Sequence, residues 1–279
     1  MADQVKALRD VLLVYGDPES LAPELAVATG VLGASALEYL NGEALRFGFR
    51  SATVLLKILK ATCSLISGSM ALAAIHPRTF SPHDIDFYVS ERDVSTLQCF
   101  LLLFGYLEVP TRTPEYLPPT PRVIKTVFTY ARYDDSGEIT TTVNIICHYR
   151  RYHPLECVVG FHSTLVMNVI AWHGVICLYP SWTIAKKGLV VIDTAKTRRC
   201  FEKYTRRGFF FFDFGIDFVR GLQERSLRED NVLHIPFGQG GIMGFDWCNI
   251  GPFAWRLADT AYASPVEPVV AASDAEVSD

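Results

Sequence analysis

The sequence predicts an α/β (α+β) fold: a small mixed sheet with helices against it and a mostly helical C-terminal part. Three observations predict it. A strand–turn–helix run, Leu65-Ile66-Ser67-Gly68-Ser69-Met70-Ala71-Leu72, leads into the apolar-alternating run Asp84-Ile85-Asp86-Phe87-Tyr88-Val89. Two β-rich runs, Val123–Tyr133 and Ile139–Tyr149, flank Asp134-Asp135-Ser136-Gly137, a hairpin signal. The composition, 49% hydrophobic and 20% charged, is that of a folded core.

Each element follows from local pattern. Residues 1–42 suggest one or two helices, broken at Gly16-Asp17-Pro18. Glu43–Ala61 carries Leu45, Phe49, Val54, Leu55, Ile58 and Leu59 at helical spacing and predicts one helix. Cys63–Ser67 reads as a buried strand and Met70–Ile75 as a short helix. Pro77 and Pro82 bracket a loop that delivers Asp84. Asp93–Gly105 begins with an Asp cap and continues as an apolar helix. The five prolines of residues 109–122 predict a surface loop. Thr164–Trp172 reads as a buried helix capped by Ser163 or Thr164, and residues 262–279, small, acidic and proline-containing, as a disordered tail. The expected organisation is therefore an N-terminal helical segment (1–42), a core (43–155), a mostly helical subdomain (156–261) and the tail (262–279).

The bulk numbers narrow the class. A chain of 279 residues holds one large domain or a core with a subdomain. Net charge −4 and pI near 6 argue against wholesale polyanion binding, while leaving room for a local basic patch. Seven scattered cysteines without a Cys-x-x-Cys suggest reduced thiols and a cytoplasmic protein. No secretory signal pattern and no apolar run of about 20 residues is seen, so no membrane partner is expected.

The chemistry concentrates at the Gly-Ser turn and the two acids. Residues i and i+2 of a strand share a face, so Asp84 and Asp86 set two negative charges side by side. A divalent cation between them would stabilise the pair, and hard oxygen ligands suit Mg²⁺ (or Mn²⁺). Gly68 permits close approach of a backbone or a phosphate. Ser69 offers a hydroxyl and a backbone N–H where a helix starts. A phosphate seat beside metal-binding carboxylates is the minimum equipment for phosphoryl or nucleotidyl transfer. Taken singly, each half has a plainer reading: solvated acids at a strand end, and an ordinary strand-to-helix turn.

This pattern resembles the nucleotidyltransferase (DNA polymerase beta-like) superfamily: hydrophobic residue, Gly, Gly or Ser, spacer, then acid–hydrophobic–acid–hydrophobic. The spacer Met70–His83 is slightly longer than that pattern. Ser67-Gly-Ser-Met-Ala-Leu72 with Pro82-His-Asp-Ile-Asp-Phe-Tyr-Val89 also resembles uncharacterised fungal proteins from mushroom-forming species, as do Phe161–Asn168, Cys177–Pro180 and Lys187–Val190. The likeness spans roughly residues 45–215. It implies a nucleotidyltransferase-like fold and a Mg²⁺-dependent enzyme that transfers NMP from an NTP, ATP being the expected one, to an acceptor hydroxyl. Ser69 would meet the terminal phosphates. The acceptor would be a small molecule or protein, with RNA in play. The superfamily usually has a third acid on a neighbouring strand, and here that position holds Asn144 in Val143-Asn144-Ile145. An amide is no base near neutral pH. Three readings follow: a substrate group or His148 replaces the base; a single metal activates the acceptor weakly; or the protein is a catalytically reduced nucleotide-binding regulatory or interaction module. Loose phosphoryl transition states demand little of a base, so the loss is not fatal to transfer.

Other motifs are weaker. Ser181–Gly208 sets eight cationic side chains against Asp193 and Glu202. A solvated helix face explains such a run, and a phosphate clamp with Lys186 and Lys187 as contacts is the alternative. Phe209–Phe212 and Phe214 read as core rather than as a base-stacking platform. Gly238-Gln-Gly-Gly241 with Gly244 lacks the Lys-Ser/Thr of a phosphate loop. No zinc-finger spacing and no Gly-x-Ser-x-Gly elbow is present. His83 reads as a loop residue, and His162-Ser163-Thr164 as a helix cap.

Overall fold

The computed structural model describes residues 22–110, 123–212, 225–227, 232–238 and 253–257. The segment 1–21, most of the proline-rich loop, Phe214, the glycines after Gly238, Cys248 and the tail lie outside the described residues.

Two helices open the described chain, α1 (Ala22–Arg46) and α2 (Ala52–Ala61). The single helix expected over Glu43–Ala61 is thus the end of one and the whole of another. The break has a local cause: Ser51 is extended and its Oγ accepts from Val54 N, while Asn41 Oδ1 accepts from Ala52 N, so two side chains restart the helix. Then come β1 (Leu65–Ser67), α3 (Ser69–Ile75), β2 (Asp84–Ser90), α4 (Val94–Leu103), β3 (Leu107–Val109), β4 (Ile124–Tyr133) and β5 (Ile139–His148). Strand β1 starts later than expected because Cys63 has φ +47 and is exposed. Asp93 precedes α4, but its side chain makes no capping bond. The β4–β5 hairpin turns as expected on Asp134, whose Oδ1 accepts from the backbones of Ser136 and Glu138.

The second half carries more strand than the sequence suggests. After α5 (Pro154–Val159), Thr164–Trp172 is no helix but a 3₁₀ turn (Thr164–Val166) and β6 (Asn168–Ala171), followed by β7 (Gly174–Cys177). Every residue of both strands is buried, which is why their apolar run shows no alternation. Ser163 does act as the cap, accepting from Leu165 N. Then follow α6 (Pro180–Ile184), β8 (Lys187–Leu189), α7 (Ala195–Thr205), β9 (Phe210–Phe212), β10 (Arg225–Ser226), β11 (Leu233–Pro236) and β12 (Ala254–Trp255).

Eight strands form one sheet in the order β11-β7-β6-β1-β2-β5-β4-β3, antiparallel except for the parallel pair β2–β5. The fold is mixed α+β, and its sheet draws strands from both sides of residue 155. One face packs against α1 to α4 through Ile66, Ile85, Phe87, Val143, Ile145 and Ile170. The other face carries Leu65, Val169 and Ile176 beneath α5 and the C-terminal strands. Two small sheets, β8–β9 and β10–β12, stand apart from it.

Helix α1 lies directly on the sheet edge. A Cβ on Gly33 would fall 1.8 Å from the Pro236 carbonyl oxygen of β11. Gly33→Ala should therefore cost about 1–3 kcal/mol, since neither backbone can yield cheaply. Chemical denaturation measures it; an unchanged midpoint would show that α1 does not seat there.

Candidate functional site

Strand β2 alternates cleanly. Ile85, Phe87 and Val89 enter the helix-side core, so Asp84, Asp86 and Tyr88 emerge on the opposite face. Register then fixes their neighbours: Asp84 pairs with Thr142 and Asp86 with Asn144 across the parallel ladder, and Ser67 of β1 pairs with Asp86 on the other side. The loop that delivers the acids is held at two points. Arg46 at the end of α1 donates to the Pro82 carbonyl and to Glu43. Phe80 packs edge-on against Tyr204 and Phe209 at 6.3 and 6.0 Å, with the Arg207 guanidinium 4.2 Å over its ring.

Gly68 faces Asp86. It has φ +70 and ψ −137, a conformation glycine adopts readily and other residues do not, and a Cβ there would come 3.2 Å from Asp86 Oδ2. Ser69 follows as the first residue of α3 and is largely buried. The Gly-Ser turn and the acid pair are thus brought together.

Asn144 stands where the sequence places it, but as a donor. Its Nδ2 gives a hydrogen bond to Asp86 Oδ1 at 2.9 Å, while its Oδ1 accepts from Thr129 Oγ1 of β4 at 3.0 Å. Both ends of the amide are occupied, and the carbonyl oxygen faces Thr129. One oxygen of Asp86 is thereby fixed and the other, Oδ2, looks toward Gly68.

The charge on this face is costly. Burial, then the neighbouring Asp84, push the Asp86 carboxyl up to about 7, against the hydrogen bond from Asn144 and the charge of Lys203, which both act downward. Burial and the same acids hold the Tyr88 phenol well above its ordinary range. Among the described residues no three His, Cys, Asp or Glu side chains gather into a metal-binding set, so the pair has no third acid.

The other expected residues lie elsewhere. His148 sits four residues beyond Asn144 on β5, about 13 Å along the strand, buried with Nδ1 against the Tyr149 carbonyl. It is not placed to act as a base at Asp84 or Asp86. Lys186 stands by the far end of α3: its Nζ lies 5.9 Å over Phe209, and its charge is felt by His76, the residue that caps that end. About 12 Å of helix separates this end from Gly68. Lys187 opens β8 and is exposed. His83 is exposed just before the acids.

Lys203 is the cation that the sequence did not single out. It lies on α7, the helix whose Tyr204 is buried near both acids. His162 belongs to the same surroundings. Its ring meets Phe201 of α7 at 5.3 Å, its Nε2 is buried without a hydrogen-bond partner, and burial followed by the Lys203 charge lowers its pKa to about 4. A lone lysine among eight cations carries no signal of its own in sequence.

No protein-family model and no curated protein matches the chain. No helix among the described residues is long and apolar enough to cross a membrane. A solved structure of a tRNA-processing enzyme in an apo form is similar over 57% of this chain, at 14% identity and a TM-score of 0.41; the chain covers 42% of that neighbour, less than half its length.

Proposed function

We propose that the Asp84–Asp86 face binds one divalent cation, Mg²⁺ or Mn²⁺, with a nucleoside triphosphate, and transfers its NMP to an acceptor hydroxyl, releasing pyrophosphate. The observation that carries this reading is the pair of carboxylates on one strand face with the Gly68 backbone beside Asp86. Burial and the Asp84 charge raise the Asp86 carboxyl to about 7, and a cation beside the pair would offset both. Hard carboxylate oxygens fit Mg²⁺ or Mn²⁺, and Asp84 together with Asp86 Oδ2 would hold it. A bound cation would supply charge neutralisation at the phosphates.

The chain's own residues do the positioning. Asn144 fixes the Asp86 carboxylate, Gly68 leaves room for a phosphate beside it, and Lys203 adds positive charge from α7. With no third acid beside the pair among the described residues, the acceptor hydroxyl receives little help from them in losing its proton. That same feature favours a second reading: a regulatory or interaction module that binds Mg²⁺-nucleotide without turnover. Its specific support is that Asn144 spends its amide on Asp86 and Thr129.

The test is incubation of the protein with each α-labelled NTP, Mg²⁺ or Mn²⁺ and cell extract, beside Asp84→Ala/Asp86→Ala. Label transfer that disappears in the double variant is the expected result. Metal-dependent nucleotide binding without transfer would select the module. Neither signal from folded protein would remove both readings.

A further inference from the structure

The phenylalanine run after α7 is not all core. Phe209 is fully buried, but Phe210 is 66% exposed, because alternation along β9 turns it outward. Phe210 sits on the rim of an open groove of about 760 Å³ between α7 and β9, lined also by Phe201, Phe211, Arg198, Arg206 and the single carboxylate Glu202. Lys187, register partner of Phe210 on β8, is exposed beside it. Arg198 is held in a two-pronged ion pair by Asp193, so the cations open beside the ring are the Arg206 guanidinium and the Lys187 ammonium. An exposed aromatic ring beside these two suits a ligand with alternating flat apolar faces and anionic links. A polynucleotide strand finds a stacking surface and phosphate contacts together. The groove is also joined to the candidate site: Phe201 on its wall touches His162, and Lys203 on the same helix acts on Asp86.

We infer that this groove binds single-stranded nucleic acid, a base stacked on Phe210 and the flanking phosphates on Arg206 and Lys187. As the seat of an acceptor strand, the inference rests on the transfer reading proposed above; as a binding site, it stands without it.

Fluorescence anisotropy on the full chain with labelled 12-mer RNA and DNA strands of mixed sequence tests it. Phe210→Ala should weaken binding about 10-fold or more, and Phe210→Trp should preserve it. Arg206→Ala should lower the slope of log K against log salt by about 0.7. The RNA and DNA arms say which sugar is preferred. Asp84→Ala/Asp86→Ala should still bind the strand, so that failure of transfer and failure of the groove are told apart. Three outcomes would overturn the inference: no binding by the native protein, equal affinity in Phe210→Ala, or equal competition by a polyglutamate peptide, which would mark a surface for acidic proteins.

Discussion

Asp86→Asn should abolish transfer while making the protein more stable. On the proposed reading, loss of the carboxylate removes a metal oxygen, and a drop of on the order of 100-fold or more in label transfer is expected. The stability effect has the opposite sign. The folded-state pKa of Asp86 lies above its ordinary 3.8, so the folded protein holds this proton more tightly than the unfolded chain does. Its stabilising contribution is therefore present at low pH and is lost as pH rises from about 4 to about 7. Above that window the folded protein carries a desolvated charge beside Asp84. Asparagine removes the charge and can still accept from Asn144 Nδ2. With solvent screening part of the cost at this half-buried position, a gain of about 1–3 kcal/mol at pH 8 is expected, or roughly 3–8 °C in Tm. The gain should fade toward pH 4. Melting curves at pH 8 and pH 4 without divalent cations measure it, and a loss of stability at pH 8 would contradict this account of the site. Such a residue trades stability for function.

Asn144→Asp should do the reverse, and its sign should depend on the metal. The amide now donates 2.9 Å from Asp86. A carboxylate in its place removes that donor and sets a third negative charge against the pair, while still accepting from Thr129. Without divalent cations the cost at pH 8 should be about 2–4 kcal/mol. With Mg²⁺ in the millimolar range much of it should return, because three acids bind the ion more tightly than two. Paired melts with EDTA and with Mg²⁺ provide the measurement. An equal loss under both conditions would place the cation away from Asp86. Transfer that rises in this variant would show that the native chain is limited by weak acceptor activation.

Short-range pattern carried the readable half of this molecule. The alternation of Asp84–Ser90, the Asp134 turn and the helix after Ser69 need only neighbours in sequence, and they stand as expected. Asn144 was legible through the superfamily resemblance, which expects an acid between apolar residues on a neighbouring strand, and the parallel register pairs it with Asp86. Its role as a donor was not, since that depends on Thr129 from a third strand. Strands β6 and β7 escaped because a strand buried on both faces has no period to read. The break between α1 and α2 hid behind apolar residues whose spacing happened to continue across it. Lys186 and Lys187 belonged to the right cationic run, but chain path, not composition, sent them to the far end of α3 and to β8, and brought Lys203 toward the acids.

The single parallel pair in the main sheet has a kinetic consequence. Hairpin β4–β5 closes over a few residues and can zip early, whereas β2 reaches β5 only after 58 residues of chain have been looped, as Asp86 and Asn144 are separated by that distance. The carboxylate pair therefore gains its amide partner through one of the longest closures in the sheet. A partly folded chain with its hairpin formed, even with β2 already on β1, would still hold Asp86 apart from Asn144. The candidate site would then be among the last features to assemble and among the first to be lost when the sheet opens.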